Sequence, residues 1–351
     1  MALTTLQRIQ ITARIRQDWY GAMAKTASEG LPQVDVLERL RNNFRKTRHP
    51  LLPVVDTLTR RLRGSGSVSK ADLKTVGTEL VGLVPANEAL LIQAGESSGD
   101  VAEGFKNAAD YIEANLRLRA AIVGALTKPL IYFAALIGLF LFFSFKLLPS
   151  FERNRPRHIW PADAQVLGWV ADHIILLTSL AVGGLVGGVI LIVYLSANWV
   201  GPSRDSADRK IPPFNLIAQI NAAIFVGSLA GFISAGIPFS DAIIKIRQGS
   251  NNYMRAQCDR MQNWIRSGKR PDECLLGLPM VGKRYHWIID VYGMSTDASQ
   301  AYRTISREML DRTINVVSMV FGSMLANVFL LFLGGCIMWI YFAMFAIADA
   351  K

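Results

Sequence analysis

Three long stretches of the chain are apolar and free of charge, and they alternate with polar blocks. Ile174–Leu195 contains no charged residue, Thr313–Ala348 is uncharged over 36 residues, and Pro129–Phe145 lies between Lys128 and Lys146. A helix rises about 1.5 Å per residue, so about 20 apolar residues cross the hydrocarbon core of a bilayer. Lys146 would reach the interface with its flexible side chain. The pattern therefore predicts transmembrane helices at 128–148, 174–195 and 325–347.

A fourth uncharged run, Ile211–Ser240, is more polar and is interrupted. Asn215 and Gln219 occupy its first half, and Ser234 and Pro238 break its second half. It would form either a fourth span or a buried helix of a polar block. The internal repeat described next favours the buried helix.

The two polar blocks contain copies of one sequence pattern. Gly21–Pro32 aligns with Gly227–Pro238 at an offset of 206 residues without a gap, and Asp35 then matches Asp241. Repeats of this kind indicate a duplicated supersecondary unit. The first copy carries charged residues on the same helix face and cannot cross a membrane, so we expect the second copy to stay outside it too.

Each copy predicts a helix–turn–helix. Gly30 and Gly236 supply the left-handed residue that ends the first helix, and Pro32 and Pro238 begin the second helix. Small residues on the first helix, beginning with Gly21, would let a neighbouring helix approach closely.

These signals predict an all-α membrane protein with two cytoplasmic antiparallel helical bundles. Each polar block carries an excess of five positive charges, with 18 Lys/Arg against 13 Asp/Glu before the first span and 15 against 10 after the second. The positive-inside rule then places the loop between the first two spans in the periplasm, the N-terminus in the cytoplasm and the C-terminus at the periplasmic face. The expected segments are a basic N-terminal segment 1–16 without a cleavable signal, the bundles 17–127 and 196–324, and a short periplasmic loop 149–173.

Composition and motifs argue against catalysis. The net charge of +11 is spread over both blocks without a like-charge run, which does not favour nucleic acid as a partner. The three cysteines and four histidines form no ligand pattern. Neither a phosphate-binding loop nor a nucleophile elbow is present, and the spans lack paired charges. We therefore expect no enzyme activity and no cofactor.

One motif stands out in the first block. Gly95-Glu96-Ser97-Ser98-Gly99-Asp100 precedes a long helix that leads into the first span, and Gly64–Ser67 and Ser69–Asp72 predict a loop and a helix cap before it. The motif has a structural interpretation, in which Gly99 is left-handed and Glu96 or Asp100 caps a helix. It also has a functional one, in which Gly95, Glu96, Ser98, Gly99 and Asp100 serve coupling to a partner. A metal role for Glu96 with Asp100 is a weaker alternative.

With this motif, the repeat and the order of spans, residues 17–347 resemble the inner-membrane platform proteins of type IV pilus and type II secretion systems, the F family. The chain departs from the family pattern at Val291–Asp297, Lys128-Pro129 and Ile314-Asn315. It therefore resembles a divergent branch, such as a plasmid thin-pilus or bundle-forming pilus system.

The resemblance implies a non-enzymatic platform in the bacterial inner membrane. The implied partners are a cytoplasmic assembly ATPase, a pilin or pseudopilin, other inner-membrane assembly proteins and the lipid bilayer. The glycine-rich second span also suggests a homo-oligomer.

A basic stretch in the first block is a candidate partner surface, because it could face lipid or an acidic protein. Its members are Arg39, Arg41, Arg45, Lys46 and Arg48. Two other functions stay open at this point, a small-molecule transporter with four spans and a membrane-anchored signalling adaptor.

Overall fold

The computed structural model describes residues 11–63, 75–154, 156–293 and 298–349, and over these residues the protein is all-α. The predicted loop Gly64–Ser67, the predicted cap Ser69–Asp72 and most of Val291–Asp297 lie outside this described part. The contacts divide the chain into two compact units. One comprises Met1–Arg119 with Ser196–Thr313, and the other comprises Ala120–Leu195 with Ile314–Lys351.

The first unit contains both copies of the repeat. Its helices in the first copy are α1 (Ala13–Ser28), α2 (Gln33–Thr47), α3 (Leu52–Arg63), α4 (Val76–Leu80), α5 (Ala86–Ser97) and the start of α6 (Val101–Phe142). The helix α6 then continues into the second unit.

A π-helical turn at Phe143–Leu147 follows α6, and the second unit continues with α7 (Leu148–Asn154), α8 (Ala162–Asp172) and α9 (Ile174–Asn198). The chain then returns to the first unit for the second copy. Its helices are α10 (Pro202–Lys210), α11 (Phe214–Ser234), α12 (Phe239–Gln248), α13 (Asn252–Arg266), α14 (Pro271–Leu276), α15 (His286–Gly293) and α16 (Ala298–Val317). A second π-helical segment, Ser318–Leu325, leads into α17 (Ala326–Asp349).

The repeat covers six helices rather than two. In chain order α1 to α6 correspond to α11 to α16, and α10 precedes the second copy without a counterpart among the described residues. We expected a separate bundle for each block, but the contacts join both copies into one compact unit. The reason is that α11 of the second copy packs against α5 and α6 of the first, as the contacts of Gly231 with Leu91 and Asn107 illustrate.

Four described helices are long and apolar enough to cross a membrane: Val101–Arg153, Ile174–Asn198, Phe214–Ser234 and Gln300–Ile347. They differ in how much the protein itself covers them. The most apolar window of Phe214–Ser234 is 67% buried, whereas the windows of the other three are 6%, 6% and 17% buried. Helix α11 therefore places most of its apolar surface inside the first unit, while the other three expose theirs.

The segment expected as a short loop, 149–173, is largely helical. Helix α8 buries Ala164 and Leu167 against Ile340 and Ala343 of α17, with Trp160 in the same cluster. Ion pairs connect the two ends of the segment, because Arg157 pairs with both Glu152 and Asp172 at 2.5 Å. The apolar residues of this segment therefore pack against α17, which the balance of charges within the segment could not predict.

Small residues on the first helix of a copy were expected to let a neighbouring helix approach closely, and the two copies differ in this respect. A Cβ at Gly227 of α11 would lie 2.6 Å from the Ser306 Oγ of α16, whereas a Cβ at Gly21 of α1 would meet nothing within 4 Å. Close helix approach at this position therefore occurs in the second copy and not in the first.

Candidate functional site

The motif in the first block forms the connection between α5 and α6. Gly99 has φ +84°, in the left-handed region that glycine adopts without a steric penalty. The Asp100 carboxylate accepts a hydrogen bond at 2.9 Å from the Glu103 N–H, and the Ser98 hydroxyl donates one at 2.9 Å to the Gly95 carbonyl. The motif is thus a helix–turn–helix with a capped second helix.

Gly95 lets the two helices cross at backbone contact. A Cβ at this position would lie 2.4 Å from the Gly104 Cα and 2.6 Å from the Asp100 carbonyl oxygen. A Cβ at Gly104 would in turn lie 2.9 Å from the Gly95 Cα. Gly104 was not singled out from the sequence, although its place in the first turn of a helix after a glycine-rich motif is a usable signal.

Glu96 caps a different helix from the one it precedes. Its carboxylate accepts hydrogen bonds from the Val76 N–H at 2.8 Å and from the Gly77 N–H at 2.7 Å, at the N-terminus of α4. Burial raises the pKa of Glu96, although the hydrogen bonds that it accepts act in the opposite direction. Because Glu96 and Asp100 cap different helices, their carboxylates do not converge as a metal pair. Among the described residues no three His, Cys, Asp or Glu side chains are grouped to hold a metal ion.

The glycine–proline turns of the two copies have the same geometry. Gly30 has φ +76° and Gly236 has φ +73°, and Pro32 and Pro238 are the N-caps of the helices that follow. Both turns form the paired backbone bonds of a Schellman cap. These bonds run from the N–H of Gly30 to Ala27 (3.0 Å), Leu31 to Thr26 (3.1 Å), Gly236 to Ile233 (2.9 Å) and Ile237 to Phe232 (3.1 Å).

The basic stretch does not act as one surface. Arg41 turns inward and pairs with Asp56 of α3 at 2.6 Å, which holds two helices of the first copy together. Arg45 is 65% exposed and lies 3.9 Å from the same carboxylate. Arg39, Lys46 and Arg48 are exposed.

The outer part of this stretch belongs to a helical extension found only in the first copy. Helix α2 has 15 residues, whereas its counterpart α12 has 10. The extra turns carry Arg45 and Lys46, and Arg48 ends the helix with φ 53°. The helical repeat does not require this extension, so we call Arg45, Lys46 and Arg48 the basic extension and treat it as a candidate surface.

A polar cluster joins the two copies, and it was not predicted. The guanidinium of Arg303 on α16 pairs with the Glu103 carboxylate on α6 and donates to the Asn107 amide oxygen at 2.8 Å and the Ser234 hydroxyl at 3.0 Å. The Asn107 amide also donates to the Gly231 carbonyl of α11 at 3.1 Å. We call Glu103, Asn107, Ser234 and Arg303 the inter-repeat clamp.

The clamp begins at the motif and reaches the last helix of the second copy. Glu103 is the residue whose N–H is capped by Asp100, so the motif fixes the first turn of α6 that presents the clamp. Burial raises the pKa of Glu103, but the hydrogen bond and charge of Arg303 outweigh it and hold that pKa below the ordinary 4.5. The carboxylate is therefore charged near neutral pH.

A cleft of about 350 Å³ lies beside the clamp, between α6, α11 and α16. Its walls carry both signs of charge, with Asp110, Glu113 and Arg117 on α6 and Arg307 on α16. Burial raises the pKa of Asp110, although the positive charges of Arg303, Lys106 and Arg307 oppose the rise. The cleft could accept a polar segment, and its described lining residues include no nucleophile paired with a base.

Comparisons with known proteins match this architecture. The family model of type II secretion system (T2SS) protein F matches residues 19–149 and 225–347, so its two segments begin 206 residues apart, which is the offset of the repeat. The chain is also similar to the toxin coregulated pilus biosynthesis protein E of Vibrio cholerae serotype O1 (strain ATCC 39315 / El Tor Inaba N16961). That protein is 22% identical over 354 residues, which cover 97% of each chain.

The apolar exposed helices and these matches make this chain a multi-pass protein of the inner membrane. The expected resemblance to platform proteins of pilus and secretion systems is confirmed. The chain belongs to the protein F family of type II secretion and type IV pilus systems.

Proposed function

We propose that this protein is a non-enzymatic inner-membrane platform that couples a cytoplasmic assembly ATPase to pilin or pseudopilin extraction and fibre growth. The observation that carries the proposal is the match of the protein F family to both copies of the repeat. The similarity to a pilus biosynthesis protein along almost the whole chain favours a pilus over a secretion system.

The proposed topology has three spans, with the N-terminus in the cytoplasm and the C-terminus at the periplasmic face. Its support is the burial of α11, which at 67% contrasts with the three exposed apolar helices. A fourth span would have to lie among lipid or other spans, whereas α11 packs against α5 and α6 within the first unit. Four glycines of the uncharged helix α9 support a homo-oligomer. A Cβ at Gly183, Gly184, Gly187 or Gly188 would meet nothing within 4 Å, so a second helix can approach there.

The proposed coupling route follows continuous helices. Helix α6 begins at the motif and extends to Phe142, inside the first proposed span. Helix α16 is joined to α6 by the inter-repeat clamp and leads towards the last proposed span. A displacement of the motif turn would thus reach two spans through helices that share one anchoring point.

The proposed contact for the ATPase is the basic extension. It is exposed and positively charged, which suits an acidic surface on a partner protein. The second copy lacks this extension, so the proposed contact involves the first copy alone.

The experiment is affinity purification of the tagged full chain from its native membranes, followed by mass spectrometry of the bound proteins and a count of fibres. The test variant is Arg45→Gln/Lys46→Gln. The matched control is Arg255→Gln/Arg266→Gln, which removes two exposed charges from the second copy.

We expect the wild-type chain and the control to retain an assembly ATPase together with pilins, and the test variant to lose the ATPase while it stays in the membrane. Equal recovery from both variants would reject the basic extension as the contact. Normal fibres in a deletion strain, with no ATPase recovered from wild type, would reject the platform function itself.

A further inference from the structure

Helix α8 has an outward apolar stripe besides the face that packs against α17. Val166 and Trp169 are 53% and 56% exposed, and with the half-buried Val170 they follow the spacing of one helix face. The packed face is formed by other residues, namely Ala164, Leu167 and Ala171. The stripe therefore has no role in that packing.

Contacts between α6 and α17 give the level of this part of the second unit relative to the proposed spans. A Cβ at Gly322, just before α17, would lie 3.6 Å from the Ala125 Cα of α6. Further along, the rings of Phe133 and Phe329 meet edge to face with their centres 6.2 Å apart. The first and last proposed spans therefore run side by side in the same direction and begin at the same level.

Helix α8 packs near the periplasmic ends of these two spans. The cluster that it joins contains Phe143 and Leu148 from the first span and Ile340 and Ile347 from the last. The last span is proposed to end at Ile347, and Ile340 lies seven residues before that end, which corresponds to about 10 Å along a helix. Helix α8 is thus level with the outermost part of the hydrocarbon core.

Lipid is the neighbour that suits the stripe at this level. Helix α17 has three exposed apolar side chains there, at Tyr341, Phe342 and Phe345, and in the proposed span these face acyl chains. Tryptophan is enriched at membrane–water interfaces, because its ring is apolar and its N–H is polar. The helix also ends at Asp172, two residues before the uncharged stretch of the second span begins.

The polar side chains beside the stripe are bonded within the segment. Gln165 donates a hydrogen bond to the Trp160 carbonyl at 2.9 Å, and Asp172 pairs with Arg157 at 2.5 Å. A polar group that keeps a partner loses less on leaving bulk water than an isolated one. These residues therefore permit α8 to lie in the interface.

We propose that α8 is an interfacial helix of the periplasmic leaflet, in which Val166, Trp169 and Val170 contact lipid. The segment between the first two spans would then lie partly in the membrane and not in the aqueous periplasm. Its packed face would hold the ends of the first and last spans together. The inference rests on the proposed three-span topology and is independent of the proposed ATPase contact.

Spin labels test this position in the full chain, reconstituted into vesicles of phosphatidylcholine and phosphatidylglycerol. Alanine first replaces the three buried cysteines, Cys258, Cys274 and Cys336. The test label is placed by Val166→Cys. The lipid control is Leu331→Cys (76% exposed), and the aqueous control is Ile244→Cys (44% exposed). The measured quantity is the accessibility of each label to oxygen relative to a water-soluble nickel chelate.

We expect the ratio at 166 to lie several-fold above the ratio at 244 and at or slightly below the ratio at 331. A ratio at 166 equal to that at 244, with 331 in lipid, would overturn the interfacial helix and leave the three spans intact. Shielding of 166 from both reagents would also overturn it, because it indicates a protein contact. An aqueous label at 331 would instead reject the last span, so the two failures are distinguishable.

Discussion

Gly95 and Gly104 show how a single hydrogen atom in place of a side chain decides a helix crossing. Their backbones touch, since a Cβ at Gly95 would approach the Gly104 Cα to 2.4 Å. Backbone atoms cannot rotate away as a flexible side chain can. The crossing of α5 and α6, and with it the position of the clamp, therefore depends on these two residues.

We predict that Gly95→Ala destabilises the protein by about 1–3 kcal/mol, the range for overpacking a close contact. The matched control is Gly21→Ala, also within a helix, where a Cβ meets nothing within 4 Å. It should be neutral or stabilising, because alanine favours a helix over glycine by about 1 kcal/mol. Thermal unfolding in detergent measures both, and equal effects of the two substitutions would contradict the contact.

Glu96 serves a neighbouring helix and not its own. We predict that Glu96→Ala lowers the free energy of unfolding by about 1–3 kcal/mol, because two N–H groups of α4 lose their acceptor. Glu96→Gln retains one acceptor oxygen and should fall between wild type and alanine. Denaturant titration followed by circular dichroism gives the order of stability of the three proteins. A glutamine variant less stable than the alanine variant would argue against the capping role.

At the scale of elements, the features that the sequence could predict are those formed by residues close together in the chain. The turns at Gly30 and Gly236 could be predicted, because a Schellman cap is formed by six consecutive residues whose types are visible in both copies. The clamp could not, because Glu103 and Arg303 are 200 residues apart and only the packing of α11 brings them together. Similarly, charge balance could not reveal the helix α8, whose partner is α17.

The inter-repeat clamp has a defined dependence on pH. The pKa of Glu103 is below its ordinary 4.5 in the folded protein, so the pair stabilises the fold above that value and loses this contribution as pH falls through the folded pKa. We predict that the stability difference between wild type and Glu103→Gln is largest at pH 7 and disappears in acid below the folded pKa.

A second ion pair between the same two helices provides the control. Arg117 and Asp311 are 2.7 Å apart but 52% and 53% exposed, so Arg117→Gln should cost less than about 1 kcal/mol. Glu103 and Arg303 are only 20% and 19% exposed. Thermal unfolding of the four single variants and both double variants would reject the clamp if its coupling energy did not exceed that of the exposed pair.

At the scale of the whole molecule, the number of transmembrane spans depends on which apolar helices are buried by other parts of the protein. Composition alone finds four candidates, and burial separates α11 from the other three. The repeat predicts the same separation, because the first copy carries Lys25 and Glu29 where the second copy has Gly231 and Ala235.

Two topology reporters test the resulting arrangement. A reporter inserted at Gly249–Ser250, after α11, should be active in the cytoplasm, and a reporter after residue 351 should be active in the periplasm. Four spans would reverse both signals, while reversal of only one would contradict either topology. An insertion at 157–159, between the first two spans, serves as the periplasmic control.

The union of both copies in one compact unit also has a consequence for how the protein works at low abundance. Two separate subunits would associate according to their concentration in the membrane. Two copies on one chain instead meet at an effective concentration that is set by the connecting segment and does not depend on the number of chains. The pairing held by Arg303 is therefore insensitive to dilution, and a few chains per cell would each carry a complete pair.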